Sequence, residues 1–173
     1  VKITFTIIRR EKVEEPEPDL PIIIPALPGS SGSKFPFTDV KPSDPYYDAV
    51  KYLYEKNIMN GTSNTLFSPN AELTRGMVVT ILYRMEGEPA TKNSGTFSDV
   101  KTGRYYSEAV EWAAENSIVN GFTDGTFKPE RAVTREQLAS ILCRYARFSG
   151  ITTYEAKLPV NASVSSWAAK DVA

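Results

Sequence analysis

A length of 173 residues, with 41% apolar and 24% charged residues, is typical of a chain that folds into one ordinary domain, or into one domain plus a linker. The formal net charge of −1 argues against a nucleic-acid partner, which requires a basic face, and no apolar run is long enough to insert into a membrane. Histidine is absent and Cys143 is the only cysteine, so we expect no disulfide, no metal and no cofactor.

The first 34 residues differ in composition from the rest of the chain. Residues 1–10 are rich in Ile, Thr and Phe and alternate in part, which predicts a β-strand. One strand cannot form a domain, so we expect it to be the last strand of an upstream β-domain. Residues 11–34 hold five prolines, an acidic run and a Gly/Ser stretch, which predicts an extended linker.

From Phe37 onward the chain repeats itself. Residues 37–86 align without a gap on residues 97–146, a shift of 60, and 18 of the 50 aligned positions are identical. The identities fall in blocks: Phe37, Asp39, Val40 and Lys41 match Phe97, Asp99, Val100 and Lys101, and Phe67, Pro69, Thr74 and Arg75 match Phe127, Pro129, Thr134 and Arg135. Such spacing indicates an internal duplication.

Each copy predicts a helix, a loop and a second helix. In copy one, Asp44 is expected to cap the first helix, with Pro45 in its first turn, and the helix should end near Asn57. Thr74 and Thr134 are expected to cap the second helices, and Gln137 would complete a capping box in copy two.

The loop and the apolar positions complete the prediction for each copy. Asp124-Gly125 predicts a tight turn in copy two, where copy one has Asn64-Thr65. Core stripes are expected along the second helices, at Val78, Ile81, Leu82 and Met85 in copy one and at Leu138, Ile141, Leu142 and Tyr145 in copy two.

The sequence therefore predicts a mostly α fold. One helix pair is too small to bury two apolar faces, so we expect the copies to share a helical-bundle core. We expect module one at residues 35–94, module two at 95–154, and the start of a truncated third module at 155–173, where Trp167 and Val172 follow the spacing of a first helix.

These elements resemble the S-layer homology domain, whose pattern is F-x-D-V, an A-V helix start, G-x-x-x-G-x-F-x-P and T-R-x-E. Copy two carries the pattern most fully, in Phe97, Asp99, Val100, Ala109, Val110, Gly121, Gly125, Phe127, Pro129, Thr134 and Arg135. Copy one departs at Met77 and at Asn64-Thr65, and copy three has Leu158-Pro-Val160 where F-x-D is usual.

The resemblance implies a fold and a function. Such modules form a pseudo-threefold assembly around a three-helix bundle and bind secondary cell-wall polysaccharide, often pyruvylated, in grooves between modules at the extracellular bacterial surface. It implies glycan-binding roles for Asp39, Asp99, Gly61, Gly121, Arg75 and Arg135, with one complete groove in this chain. A guanidinium matches the carboxylate of a pyruvyl ketal, and the free amides of a helix N-terminus also favour anions.

Structural alternatives stay open for each of these residues. The arginines would otherwise form salt bridges to the F-x-D aspartates, the aspartates would cap turns, and the glycines would serve only the loop conformation. Trp112 would either stack on a sugar face or pack in the core.

Three other functions compete with glycan anchoring. An enzyme is not expected, because the acids are scattered and no nucleophile elbow is present. A helical protein–protein or self-assembly scaffold would show an exposed apolar groove, whereas anchoring predicts an Arg-lined polar cleft. A calcium loop would rest on Asp124 alone. The oligomeric state is left open.

Overall fold

In the computed structural model, the described residues are 35–92, 94–151, 165–168 and 171. They contain four helices: α1 (Tyr47–Glu55), α2 (Arg75–Met85), α3 (Ser107–Glu115) and α4 (Arg135–Phe148). Within these ranges the only β pairing is an isolated antiparallel bridge between Thr74 and Ala132. The predicted mostly α fold built from helix–loop–helix repeats is confirmed.

Two predicted segments fall largely beyond this part of the chain. The strand expected at 1–10 and the linker expected at 11–34 lie outside the described residues, and only 165–168 and 171 of the expected third copy are described. Among the described residues, no helix is long and apolar enough to cross a membrane.

The chain divides into two compact units, Val1–Pro69 and Asn70–Ala173. This division falls inside the first sequence repeat, between its loop and its second helix. Helix α2 therefore belongs to the second unit, where it packs against α3. The helices that pair thus come from different sequence repeats.

The first unit has a small aromatic core. Phe37, Val40 and Val50 are buried, and partly buried aromatic side chains surround them. The ring of Phe37 meets Tyr54 edge to face at 5.1 Å, and Phe67 lies 5.5 Å from it at a tilted angle. Edge-to-face contact is the favoured geometry for aromatic pairs, so these rings hold the loop against α1.

The second unit has the larger core, drawn from α2, α3, α4 and the second loop. Its largest fully buried side chains are Phe127, Ile118, Val79 and Val110. The predicted stripe on α2 is correct for Val78 and Leu82 but wrong for Met85, which is 51% exposed. Met85 is the last residue of the helix, and its side chain lies outside the packed part of α2.

The helix starts show which local predictions succeed. Thr74 caps α2, with its hydroxyl accepting from the Met77 amide at 3.2 Å, and the capping box of Thr134 with Gln137 is present at α4. The predicted cap at Asp44 is wrong: α1 begins at Tyr47, and no side-chain cap precedes it. Asp44 Oδ2 instead accepts from the Lys41 amide at 2.8 Å and closes the preceding turn.

The described residues of the expected third copy, 165–168 and 171, lie against α4. Ala168 is buried, and the carboxylate of Asp171 accepts from Arg144 Nη2 at 2.8 Å and from Arg147 Nη1 at 2.9 Å. The Asp171 side chain is only 6% exposed, so this pair of arginines is the charge compensation that its burial requires.

We predict that buried tyrosines make the fold sensitive to alkali. Burial raises the pKa of Tyr83 and of Tyr106 above 10.0, with further raising contributions from Glu108 and Glu130 respectively. The stabilisation is complete below the unfolded-chain pKa and is lost as pH rises through the raised pKa, because the unfolded chain ionises first. Urea unfolding from pH 8 to 11 should show the loss, and a Tyr83→Phe/Tyr106→Phe variant should lose less stability over that range. An equal pH slope in this variant would contradict the assignment.

Candidate functional site

The two F-x-D aspartates pin the loop of their own repeat. Asp39 accepts from the amides of Phe67 and Ser68 at 2.9 and 2.7 Å, and Asp99 accepts from those of Phe127 and Lys128 at 2.8 Å each. The pKa of Asp39 is lowered, chiefly by the Phe67 amide. The turn-capping alternative therefore describes both carboxylates.

The Asp bonds also hold an unusual backbone. Ser68 and Lys128, at matching positions of the two loops, have φ of 61° and 57°. A non-glycine residue in the left-handed region costs free energy of roughly 1 kcal/mol, so it persists only where surrounding contacts fix it. The carboxylate that accepts from each of these amides is one such contact.

Gly61 and Gly121 lie under the aromatic ring of the same motif. A Cβ on Gly121 would collide with the ring of Phe97 and would lie 2.6 Å from the Thr126 carbonyl oxygen. A Cβ on Gly61 would meet Phe37 Cε1 at 2.5 Å, and Gly61 also has φ of +73°. Both glycines thus allow a phenylalanine to approach the backbone, which is a structural reason for glycine without any ligand.

The first turn of α2 docks onto the loop of the second repeat. The amide of Arg75 donates to the Arg131 carbonyl at 2.9 Å, and that of Gly76 donates to the Pro129 carbonyl at 2.8 Å. These amides would be unsatisfied in an isolated helix. The expectation that free amides at this terminus attract an anion is therefore wrong for α2, because protein carbonyls already occupy them.

The side chain of Arg75 follows its backbone into the same loop. Arg75 is 6% exposed, and its Nε donates to the Phe127 carbonyl at 2.8 Å. The guanidinium lies 4.5 Å from the centre of the Phe127 ring and 4.9 Å from that of Phe122. Burial, and then the nearby charge of Arg131, lower the Arg75 pKa to about 10, while Asp99 acts in the opposite direction.

Cations from both repeats gather around one ring of the second loop. Besides Arg75, Lys128 Nζ lies 4.3 Å from the centre of the Phe122 ring and the Arg131 guanidinium lies 5.8 Å from it. We call Arg75, Phe122, Lys128 and Arg131 the loop cluster. Sequence reasoning missed its last three members. The signal was a difference between the copies, since copy one has Thr62, Ser68 and Ala71 at those positions.

Two further expected site residues lie apart from the loop cluster. Arg135 is exposed at the start of α4. Trp112 is 3% exposed and lies in the core, with Tyr83 and Phe148 each 5.6 Å from it between ring centres. This burial favours the packing alternative, and we leave Trp112 out of the proposed site.

Asp124, the residue on which a calcium loop would rest, is engaged by its own loop. Its carboxylate accepts from the amide of Thr126 at 3.1 Å and pairs with Lys128 at 2.9 Å. Hydrogen bonds from the Thr126 hydroxyl and from Lys128 lower the Asp124 pKa to about 2. Within the described ranges, no group of three or more Asp, Glu, Cys or His side chains is placed to hold a metal ion.

The fold and site define a tandem helical repeat in which the second helix of one copy docks on the loop of the next. Residues 36–76 and 96–139 both match the model of the S-layer homology domain. The chain therefore belongs to the S-layer homology family through these two segments, as the motifs predict.

This chain aligns with one part of each of several longer relatives. The chain is 37% identical over 115 residues to an endoglucanase of Bacillus sp. (strain KSM-635), across 66% of this chain and 12% of the endoglucanase. It is 27% identical over 150 residues to a cellulosome-anchoring protein of Acetivibrio thermocellus, across 82% and 32%. It is 30% identical over 95 residues to the surface-layer 125 kDa protein of Lysinibacillus sphaericus, across 55% and 8%. The chain thus spans a third or less of each relative. The surface location expected from the sequence agrees with the names of the cellulosome-anchoring protein and the surface-layer protein.

Gly121→Ala tests the packing role of the loop glycines. We expect a loss of about 2–3 kcal/mol in unfolding free energy, because the methyl group must displace the Phe97 ring or the Thr126 carbonyl. Gly150→Ala is the matched control: among the described residues no atom lies within 4 Å of its Cβ, so only its φ of +72° opposes alanine, at about 1 kcal/mol. Urea denaturation measures both, and equal losses would contradict the packing role.

Arg75 and Arg135 occupy the same motif position in different surroundings, so they form a natural pair for mutation. Arg75→Ala should destabilise the protein by about 1–3 kcal/mol, since it removes a buried hydrogen bond and two cation–π contacts. Arg135→Ala, at an exposed site, should change stability by less than about 0.5 kcal/mol. Thermal and urea unfolding of both variants give the comparison, and similar effects would show that the docking of α2 does not depend on Arg75.

Proposed function

We propose that this chain anchors a surface protein non-covalently to the bacterial cell envelope by binding secondary cell-wall polysaccharide through its pyruvyl ketal carboxylates. The observation that carries the proposal is the loop cluster, in which cations from two repeats surround the ring of Phe122. A sugar acid offers such a site both a carboxylate for the cations and an apolar ring face for the aromatic side chain.

The charges around the loop cluster leave Arg131 available to a ligand. Asp99 is committed to two backbone amides, and Glu130 lies near Tyr106, whose pKa it helps to raise. Asp124 pairs with Lys128. Arg131 is exposed, so its planar guanidinium is the group that we expect to meet the carboxylate first.

Arg75 has a different part in this proposal from the one that the motif implies. Its burial and its bond to the Phe127 carbonyl make it a positioning residue, which fixes the loop that carries Lys128 and Arg131. Arg135 keeps a proposed glycan contact because its side chain is exposed at a helix start. The other motif residues affect glycan binding indirectly, because they fix the shape of their loops; they are Asp39, Asp99, Gly61 and Gly121.

A self-assembly scaffold without glycan binding is the competing function. That alternative predicts an exposed apolar groove. The cleft between α2 and α3 is instead lined by polar groups, among them Arg84, Arg104, Glu88 and Glu108. The cleft holds two arginines and three glutamates but neither Arg75 nor Arg135, so it supports a polar ligand without being the Arg-lined cleft that glycan anchoring predicts.

The relatives support anchoring and set its limits. The name of the cellulosome-anchoring protein states attachment, and that protein aligns with 82% of this chain. The endoglucanase aligns over only 12% of its own length, so its catalytic name does not transfer to this region. We propose that this chain has no catalytic activity of its own and acts at the extracellular surface.

Removing Lys128 and Arg131 from the loop cluster tests the proposal. A Lys128→Ala/Arg131→Ala variant should bind purified wall polysaccharide at least tenfold more weakly, since hydrogen bonds to charged groups contribute about 1.5–3 kcal/mol and 1.4 kcal/mol is tenfold. Its binding should also depend less on salt. Isothermal titration calorimetry at several salt concentrations measures both effects.

Two comparisons make this experiment decisive. Lys51→Ala/Lys56→Ala removes the same charge from two exposed side chains, one on α1 and one directly after it, and should bind like the wild type. Wild-type protein should bind polysaccharide stripped of its pyruvyl ketals as weakly as the loop-cluster variant does. Unchanged binding to the stripped polymer would sink the carboxylate proposal, and retained binding by Lys128→Ala/Arg131→Ala would remove the loop cluster from it.

A further inference from the structure

The carboxylate of Asp124 contacts the loop cluster. Its Oδ2 lies 2.9 Å from Lys128 Nζ, and the same ammonium group lies 4.3 Å from the centre of the Phe122 ring. A carboxylate of the protein therefore stands beside the cation and the aromatic ring that the proposed function assigns to a ligand carboxylate. The loop makes internally the charge contact that the glycan is proposed to make.

The loop holds Asp124 in this position. Its Oδ1 accepts from the amide of Thr126 at 3.1 Å and from the hydroxyl of the same residue, while its Oδ2 faces Lys128. Gly125, between Asp124 and Thr126, has φ of +77°, which glycine adopts without strain. The carboxylate cannot turn away from Lys128 without disturbing its bonds to Thr126.

Asp124 and Lys128 occur together in the second loop, and neither occurs in the first. Copy one has Asn64 at the position of Asp124 and Ser68 at the position of Lys128. The first loop keeps the anchoring by its F-x-D aspartate without this ion pair. The loop conformation therefore does not require an acid at position 124, and the acid accompanies the cation.

An ion pair of this kind can be displaced by a ligand. The side chains of Asp124 and Lys128 are 53% and 36% exposed, and ion pairs in such positions contribute little to stability. Hydrogen bonds from the Thr126 hydroxyl and from Lys128 lower the Asp124 pKa to about 2, so the carboxylate is ionised near neutral pH. An arriving carboxylate must therefore compete with a like charge for the same cation.

We propose that Asp124 is the residue that limits the affinity of the loop cluster for a glycan carboxylate, because it occupies Lys128 until the ligand displaces it. This inference rests on the proposed function and deepens it. Arg131 is exposed and meets the ligand first, and Lys128 contributes only after its bond to Asp124 opens. The attachment at this site is then weaker than its cations alone would allow.

Asp124→Asn is the primary test, measured by isothermal titration calorimetry against native polysaccharide and against polysaccharide stripped of its pyruvyl ketals. The asparagine oxygen still accepts from Thr126, but the side chain no longer neutralises Lys128. We expect native polymer to bind about fivefold more tightly, which corresponds to the upper value for an exposed ion pair. The binding should also depend more strongly on salt, and binding of stripped polymer should not change.

Two further variants separate the ion pair from a general effect of charge. Glu130→Gln removes one negative charge from the same loop, where Glu130 is exposed and lies near Tyr106, and it should bind like the wild type. In a Lys128→Ala background, Asp124→Asn should no longer tighten binding, because its effect passes through Lys128. An equal gain from Glu130→Gln, or an undiminished gain in the Lys128→Ala background, would overturn the inference.

The outcomes also separate this inference from the proposed function. Unchanged affinity of Asp124→Asn for native polymer, while the wild type still prefers native to stripped polymer, would overturn the role of Asp124 and leave the proposed function standing. Equal binding of both polymers by the wild type would overturn the proposed function and this inference with it. Tighter binding of both polymers by Asp124→Asn would overturn the competition with a ketal carboxylate.

The carboxyl carbon of Asp124 reports the displacement in the wild type, so this measurement does not depend on the folding of a variant. Its NMR resonance should shift when native polysaccharide fragments are added, as the bond to Lys128 opens, and stripped fragments should leave it in place. An unmoved resonance at saturation with native fragments would overturn the inference, because the ligand would then bind without displacing Asp124.

Discussion

The first turn of α2 donates two amide hydrogens to carbonyls of the second loop, at Pro129 and Arg131, and the side chain of Arg75 adds a third bond to Phe127. Most other features of the second unit depend on this docking. It satisfies a helix end that would otherwise lack partners, and it brings a cation of the first repeat beside two cations of the second. Gly76 permits it, since a Cβ there would already be 3.1 Å from the Pro129 carbonyl oxygen.

Further contacts besides this docking fix the second loop. Asp99 holds the two amides that follow Thr126, and Phe97 packs onto Gly121 beneath the same loop. A loop that is fixed in this way presents Lys128 and Arg131 at little further entropic cost. The residues of the family motif therefore support the proposed site more than they contact it.

The two loops share a scaffold and differ in charge. Asp39 and Gly61 reproduce the contacts of their second-repeat counterparts, so the backbone design is the same in both copies. The first loop has no aromatic or cationic side chain at the positions of Phe122, Lys128 and Arg131. On the proposed function, the copies have diverged so that the second loop carries the charged contact with glycan.

The sequence by itself determined the repeat, the mostly α fold, the caps at Thr74 and Thr134 and the family. The caps depend on hydrogen bonds between residues that are close together in the chain, and the repeat is visible as a fixed 60-residue spacing. It did not determine which helices pair. Only the tertiary structure decided that α2 packs with the second repeat, that Arg75 is buried while Arg135 is exposed, and that a polar cleft lies between α2 and α3. The physical reason is that identical motif residues acquire different roles from the side chains that pack over them. This packing brings together residues that are some fifty positions apart in the chain, as in the bond from Arg75 to Phe127.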